Sequence, residues 1–197
     1  MSNTQKHLSD EEKINKIEPH IAEMMNILGL DLEDPSLKNT PHRVAKMYVH
    51  ELFKGLNDEN APKITVFPND EGYDQMLIEK DIRLHTVCEH HLVPIVGVVH
   101  IAYIPKDTVI GLSKFHRIVD YLASKPAVQE RLTQDIGNTL IDVLGTDDVA
   151  VVVDAVHFCC HIRGVKDPKS STITSYVNGV FRSDKSIKDE FLSMIRK

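Results

Sequence analysis

Hydrophobic periodicity switches from strand-like to helix-like and back between residues 77 and 181, and this order leaves few architectures open. Residues 77–87 and 93–104 alternate in polarity and are rich in β-branched side chains, as strands require. Residues 113–124 return to helical spacing, with Phe115, Ile118, Val119 and Leu122 turned inward. Pro126 is expected to open a second helix that carries Val128, Leu132, Ile136, Leu140 and Leu144 as far as Gly145. Residues 149–162 and 171–181 read as two further strands, and 184–196 as a short terminal helix. The order β-β-α-α-β-β predicts an α+β domain, an antiparallel sheet with helices on one face. A four-stranded sheet leaves two open edges, so oligomerisation through the sheet is expected.

Upstream the texture is helical. Ser9, Asp10, Glu11 and Glu12 read as a capping box, followed by Ile14, Ile17, Ile21, Met24, Met25 and Leu28 at helical spacing until Gly29. A second helix is expected with Thr40 as N-cap and Pro41 at its first position, running to Gly55. The chain therefore divides into an N-terminal helical region, 1–60, and an α+β domain, 61–197. A hydrophobic content of 42% fills a core of that size. A net charge of −6 gives no overall electrostatic reason to bind nucleic acid or an anionic membrane. The apolar runs fall far short of the roughly 20 residues that span a bilayer, and residues 1–10 lack a signal-peptide core. Three cysteines form no disulfide framework, and the expected compartment is the reducing cytoplasm.

Those cysteines lie among histidines. Cys88-Glu89-His90-His91 sets a thiolate and an imidazole three residues apart, a spacing that turns both toward one ion, although C-x-x-H alone often occurs by chance. Period-two alternation over 149–163 would put His157, Cys159, His161 and Arg163 on one strand face, with Val156, Phe158, Cys160 and Ile162 on the other. On that reading Cys159 faces the site and Cys160 is a small core residue; a bulge near Phe158 would invert the choice. Cys88, His91 and Cys159 make a two-sulfur, one-nitrogen set that suits zinc, and three protein ligands leave a fourth position for water, as in catalytic sites. His90 and His157 are the remaining imidazoles, candidates for proton transfer near neutral pH. His90 as a fourth ligand, or His157 as a core hydrogen-bonding group, are the plainer alternatives. His7, His20, His50, His85, His100 and His116 have no partner cysteine and read as surface or structural residues.

A second constellation is cationic. Lys114 and Arg117 are spaced i, i+3 on the first turns of a helix that starts near Ser113, where free backbone N–H groups favour phosphate. Arg163, with Arg43 and Lys46 from the second helix, could join them in clamping a polyphosphate, though each alone reads as a solvated charge. Glu130 offers two acceptor oxygens to the N–H edge of a base, or is simply a surface residue.

Laid end to end, these segments resemble GTP cyclohydrolase I of the zinc-dependent, tunnelling-fold type. The resemblance rests on residues 40–48 (TPHRVAKMY), Cys88-Glu89-His90-His91, Ala102-Tyr103-Ile104-Pro105, Gly111-Leu112-Ser113-Lys114, Gln129-Glu130-Arg131-Leu132-Thr133, Asp154-Ala155-Val156-His157, Cys159 and Arg163-Gly164, and it covers residues 10–196. It implies hydrolytic opening of the guanine imidazole ring of GTP, release of formate and closure to 7,8-dihydroneopterin triphosphate, the entry to pterin and tetrahydrofolate synthesis. Carried over by position, Cys88, His91 and Cys159 are zinc ligands, and His90 and His157 transfer protons. Arg43, Lys46, Lys114, Arg117 and Arg163 bind the triphosphate, Ser113 contacts the substrate, and Gln129 and Glu130 recognise guanine. It further implies pentamers whose sheets join into a β-barrel, stacked in pairs as a decamer, with sites between subunits. Cys160, His161, Val98 and His116 depart from the family pattern without touching a carried-over residue.

Two other readings remain open on the sequence. A nitrile reductase of the queuosine pathway shares the fold but would use nicotinamide and a catalytic cysteine without this zinc set. A zinc-stabilised, non-catalytic binding protein is the other. A zinc nucleobase deaminase would need H-x-E with P-C-x-x-C, and the chain has neither.

Overall fold

The computed structural model describes residues 8–196, and His7 lies outside them. The chain forms two compact units, Met1–Leu56 and Asn57–Lys197.

In the first unit, helix α1 spans Asp10–Ile27 and begins with the expected capping box. The Ser9 hydroxyl accepts from the Glu12 N–H at 3.2 Å, and the Glu12 carboxylate accepts from the Ser9 N–H at 2.8 Å. Helix α2 spans Thr40–Met47, so its N-cap is Asn39 rather than Thr40, and Asn39 makes no side-chain cap bond. Pro41 still occupies the first turn, where its missing N–H costs nothing. The helix continues as a π-helical turn over Tyr48–Leu52. Ile14, Ala45 and Val49 bury together between these elements, with Ile17 packed against them.

The second unit is built on strands β1 Val66–Pro68, β2 Leu77–Cys88, β3 Pro94–Tyr103, β4 Thr108–Ile110, β5 Pro126–Ala127, β6 Val149–His157 and β7 Thr172–Val177. Helices α3 Leu112–Ala123, α4 Gln129–Leu144, α5 Phe158–His161, α6 Val180–Ser183 and α7 Lys185–Ile195 join and cover them. The main sheet has the order β5-β2-β3-β6-β7, and β1 pairs with β4 in a small separate sheet. The four long strands are antiparallel, in the predicted succession. Three local expectations fail, the first being the strand expected over 171–181, which ends at Val177 and is followed by α6. Pro126 opens no helix: it pairs with Val87 in a parallel two-residue ladder, and α4 starts only at Gln129. The strand expected to reach residue 162 ends at His157, where a helical turn takes over.

The core lies between the sheet and the pair α3 and α4. Ile82, Leu84, Ile101, Tyr103, Val151 and Val153 meet Phe115, Ile118, Leu132, Ile136 and Leu140, all almost fully buried. On the opposite face Ala102, Ala150 and Val152 pack with Phe181 and Phe191 of α6 and α7. Central β6 is therefore covered on both faces, which explains its unbroken apolar run at 149–153. Gly97 on β3 permits the close approach of β6, since a Cβ there would meet the Asp154 carbonyl oxygen and the Ala155 backbone. Gly97→Ala is expected to lower unfolding stability by about 3 kcal/mol, read as a reduced urea midpoint, because the obstacle is backbone and cannot rotate away. No helix among the described residues is long and apolar enough to cross a membrane.

Candidate functional site

One end of the main sheet gathers most of the reactive side chains. Strand β2 ends at Cys88, which is 5% exposed, and a tight turn follows. The Leu92 N–H donates to the Cys88 carbonyl at 2.9 Å, and the Cys88 N–H donates to the Val93 carbonyl at 2.9 Å. Leu92 takes the left-handed conformation, φ 51°, an unusual state for a branched residue that closes this turn. The turn folds His91 back toward Cys88, so the C-x-x-H spacing produces a pair of donors.

Cys159 supplies the third. Because β6 stops at His157, Cys159 sits in the helical turn α5 and not on a strand face. Strand alternation is therefore not what aims it, and residues 157, 159, 161 and 163 do not share a strand face. The turn nevertheless brings Cys159 to Cys88 and His91, with one ligand atom from each lying within 4.8 Å of the others. Cys160 is exposed, contrary to the expected core position, and its sulfur lies 4.0 Å from that of Cys159. Gly164, φ 62°, releases the chain from the turn in a conformation that side-chain-bearing residues seldom adopt.

The donor set fits a soft divalent ion. Burial, the neighbouring Cys160 sulfur and Cys88 push the Cys159 thiol up to about 11. A metal ion would reverse that balance by replacing the proton. The sign follows: below a pH of about 11 the metal-free thiol holds its proton, so acid favours the metal-free state. Metal affinity, measured by chelator competition, is expected to fall about tenfold per unit of lowered pH from the Cys159 proton alone.

Around this trio stand further polar groups. The Arg163 guanidinium donates to Nε2 of His91 at 2.9 Å, which sets a permanent cation beside the metal group. His90 is exposed and lies 3.8 Å from Glu89, whose other carboxylate oxygen is paired with Arg131. Glu89 is not among the sequence-predicted site residues; its place beside His90 within the C-E-H-H run is the local signal for it. His157, at the end of β6, bonds through Nε2 to Oε1 of Gln129 at 2.7 Å. Burial lowers the proton affinity of His157, and the nearby Glu130 carboxylate partly offsets it. Glu130 itself is exposed on the first turn of α4, whereas Gln129 is buried.

The rest of the cationic group lies elsewhere. Ser113 and Lys114 open α3, where the Lys114 ammonium donates to the Lys63 carbonyl at 3.2 Å. His116, in the next turn, pairs with Glu79 at 3.1 Å. Glu79 lies nine positions before Cys88 on β2, a span of roughly 25–30 Å at about 3.3 Å per residue. Arg117 lies between, lining a cavity of about 340 Å³ with Arg83, His85 and Asp120. Arg43 and Lys46 are exposed on α2 of the first unit.

Residues 17–196 match the family model described as GTP cyclohydrolase I. The chain is 51% identical over 189 residues to a protein of Flavobacterium johnsoniae named GTP cyclohydrolase 1, covering 96% of this chain and 84% of that one. It is 51% identical over 189 residues to a protein of the same name from Enterobacter sp., covering 96% and 85%. Among solved structures, the apo form of the archaeosine synthase QueF-Like is similar over 51% of this chain and 90% of that one, at 18% identity and a TM-score of 0.43.

Proposed function

Because the chain belongs to the GTP cyclohydrolase I family, we propose that it converts GTP and water to 7,8-dihydroneopterin triphosphate and formate at the corner formed by Cys88, His91 and Cys159. The observation that carries the reading is the convergence of Cys88 and His91, from one turn, with Cys159 from a distant part of the chain. Two sulfurs and one nitrogen suit zinc in a reducing cytoplasm, and three protein ligands keep a position open for chemistry. Zinc, when bound, supplies Lewis acidity that makes water nucleophilic near neutral pH.

The remaining work falls to the chain's own side chains. Glu130 presents its carboxylate to the N–H edge of guanine, accepting two donors side by side and fixing where C8 lies. An imidazole, His90 or His157, gives a proton to purine N7 as the ring opens, and later steps of sugar rearrangement and reclosure need further transfers at the same place. Arg163, held against His91, is placed to receive a phosphate near the metal. Family membership does not favour the nitrile reductase or the non-catalytic reading.

We assign Lys114 and Ser113 to the site of a neighbouring chain. No nucleoside triphosphate covers the 25–30 Å or so along β2 between the metal corner and the start of α3. The triphosphate held at the metal corner of one protomer therefore meets α3 of a neighbour. The sheet supports such assembly: β7 ends it on one side, and β5 covers β2 only at Val87 and Cys88 on the other. Pairing of these edges between subunits closes a barrel, and two stacked pentamers form the decamer that the family resemblance implies. Arg43 and Lys46 are assigned to the triphosphate on the same resemblance.

Purified, zinc-loaded protein incubated with GTP should yield a product that becomes fluorescent after oxidation to the pterin, with no need for nicotinamide. Dependence on a nicotinamide cofactor, or binding of GTP without turnover, would favour one of the two rival readings.

A further inference from the structure

The family resemblance places Gln129 among the residues that recognise guanine, yet its side chain is only 2% exposed and both ends of its amide are engaged within the protein. Nε2 faces three acceptors: the Thr172 carbonyl at 2.8 Å, the Thr174 hydroxyl at 3.1 Å and the Val153 carbonyl at 3.2 Å. Two of these are main-chain carbonyls, which only accept, so the amide nitrogen must point at them. Oε1 must then point at His157, whose Nε2 lies 2.7 Å away. An amide oxygen also only accepts, and the proton in that contact therefore belongs to His157 Nε2.

A second set of bonds fixes the same orientation independently. The Thr133 hydroxyl donates to the Gln129 main-chain carbonyl at 2.7 Å. Its one proton is thereby committed, so the 2.7 Å contact between the Thr133 and Thr174 hydroxyls runs from Thr174 to Thr133. Thr174 has then used its own proton, and can meet Gln129 Nε2 only as an acceptor. Turning the amide over would set its oxygen against the Val153 and Thr172 carbonyl oxygens and lose both of those bonds.

We infer that Gln129 is a positioning residue that holds His157 as the Nε2–H tautomer, leaving Nδ1 as the atom through which the ring exchanges protons with the substrate. The inference rests on the proposed role of His157 in proton transfer. It moves Gln129 from guanine recognition to the support of that imidazole, and leaves Glu130 as the member of the pair that faces the base. A neutral imidazole has one donor and one acceptor nitrogen, so fixing one edge fixes the chemistry of the other. The amide, anchored to both β6 and β7, also holds the ring plane.

Neutron diffraction from perdeuterated crystals of the zinc-loaded protein shows deuterons on the imidazole directly. A deuteron on Nε2 facing Gln129 is expected; an Nε2 without one overturns the inference. Kinetics of Gln129→Leu give a second reading: kcat should fall about 100-fold with zinc content retained and KM for GTP little changed. A raised KM with kcat preserved would mean that Gln129 contacts the base instead. Should the variant fail to fold, because the Val153 and Thr172 carbonyls lose their donor, the neutron result on the parent protein still decides. Full activity in His157→Ala would remove the proton-transfer role of that histidine and leave the tautomer assignment standing, so the two failures are distinguishable.

Discussion

Replacing Cys159 by alanine should abolish both zinc retention and turnover, whereas Cys160→Ala should leave both near the parent values. The two thiols are adjacent in sequence and their sulfurs lie 4.0 Å apart, so size and polarity do not separate them. Position does. Cys159 shares a site with Cys88 and His91 in which one ligand atom from each residue lies within 4.8 Å of the others, and Cys160 is exposed outside that set. A structural zinc site binds with an energy on the order of 10–16 kcal/mol, so removing one of three protein donors weakens retention by roughly three orders of magnitude. Metal analysis after dialysis, with circular dichroism as a check on folding, reads the result. Zinc lost from Cys160→Ala and kept by Cys159→Ala would reverse the assignment.

Two inactive variants should regain activity when their subunits are mixed. Cys159→Ala removes a donor at the metal corner, and Lys114→Ala removes a cation at the start of α3. Within one protomer these positions lie toward opposite ends of β2. If a site takes its metal corner from one chain and α3 from a neighbour, random reassembly leaves about a quarter of the sites with both parts intact. Unfolding and refolding the two variants together, then assaying GTP turnover against each refolded alone, gives the comparison. A mixture as inactive as its components would place both constellations in one chain.

Much of this arrangement was legible in the sequence because the relevant signals are local. The capping box at Ser9, the alternation of β2 and β3, and the inward stripe of Phe115, Ile118 and Val119 depend on neighbours a few residues away, and all appear in the structure. The C-x-x-H pair is local in the same sense, since one turn closed by Leu92 brings its donors together. The errors arose where a short element interrupts a longer pattern. Polar and apolar residues continue to alternate after His157, and nothing in Phe158, Cys159, Cys160 and His161 announces a four-residue helical turn, so alternation predicts a longer strand with Cys160 in the core. The helical turn, and not strand alternation, delivers Cys159 to the site.

Pro126 shows the opposite case. Proline suits the first turn of a helix, but Pro126 and Ala127 instead lie beside Val87 and Cys88, a tertiary pairing that local preference cannot register. The small sheet of β1 and β4 joins segments about 40 residues apart and was missed for the same reason. The roles of Gln129 and Glu89 depend on partners brought near by folding: Thr172 and Thr174 for one, Arg131 for the other. The family resemblance implies that Gln129 and Glu130 act together on the base, whereas residue type alone points only to Glu130. Burial separates them, with one turned into the sheet and the other toward solvent.

The central claim is that this chain opens the imidazole ring of GTP at the Cys88, His91 and Cys159 corner, and the fate of purine C8 tests it most directly. With GTP labelled at C8 and fully zinc-loaded protein, the label should leave as formate in a one-to-one ratio with the pterin formed. Label that stays in the nucleotide while the protein is folded and its zinc is in place would contradict the account.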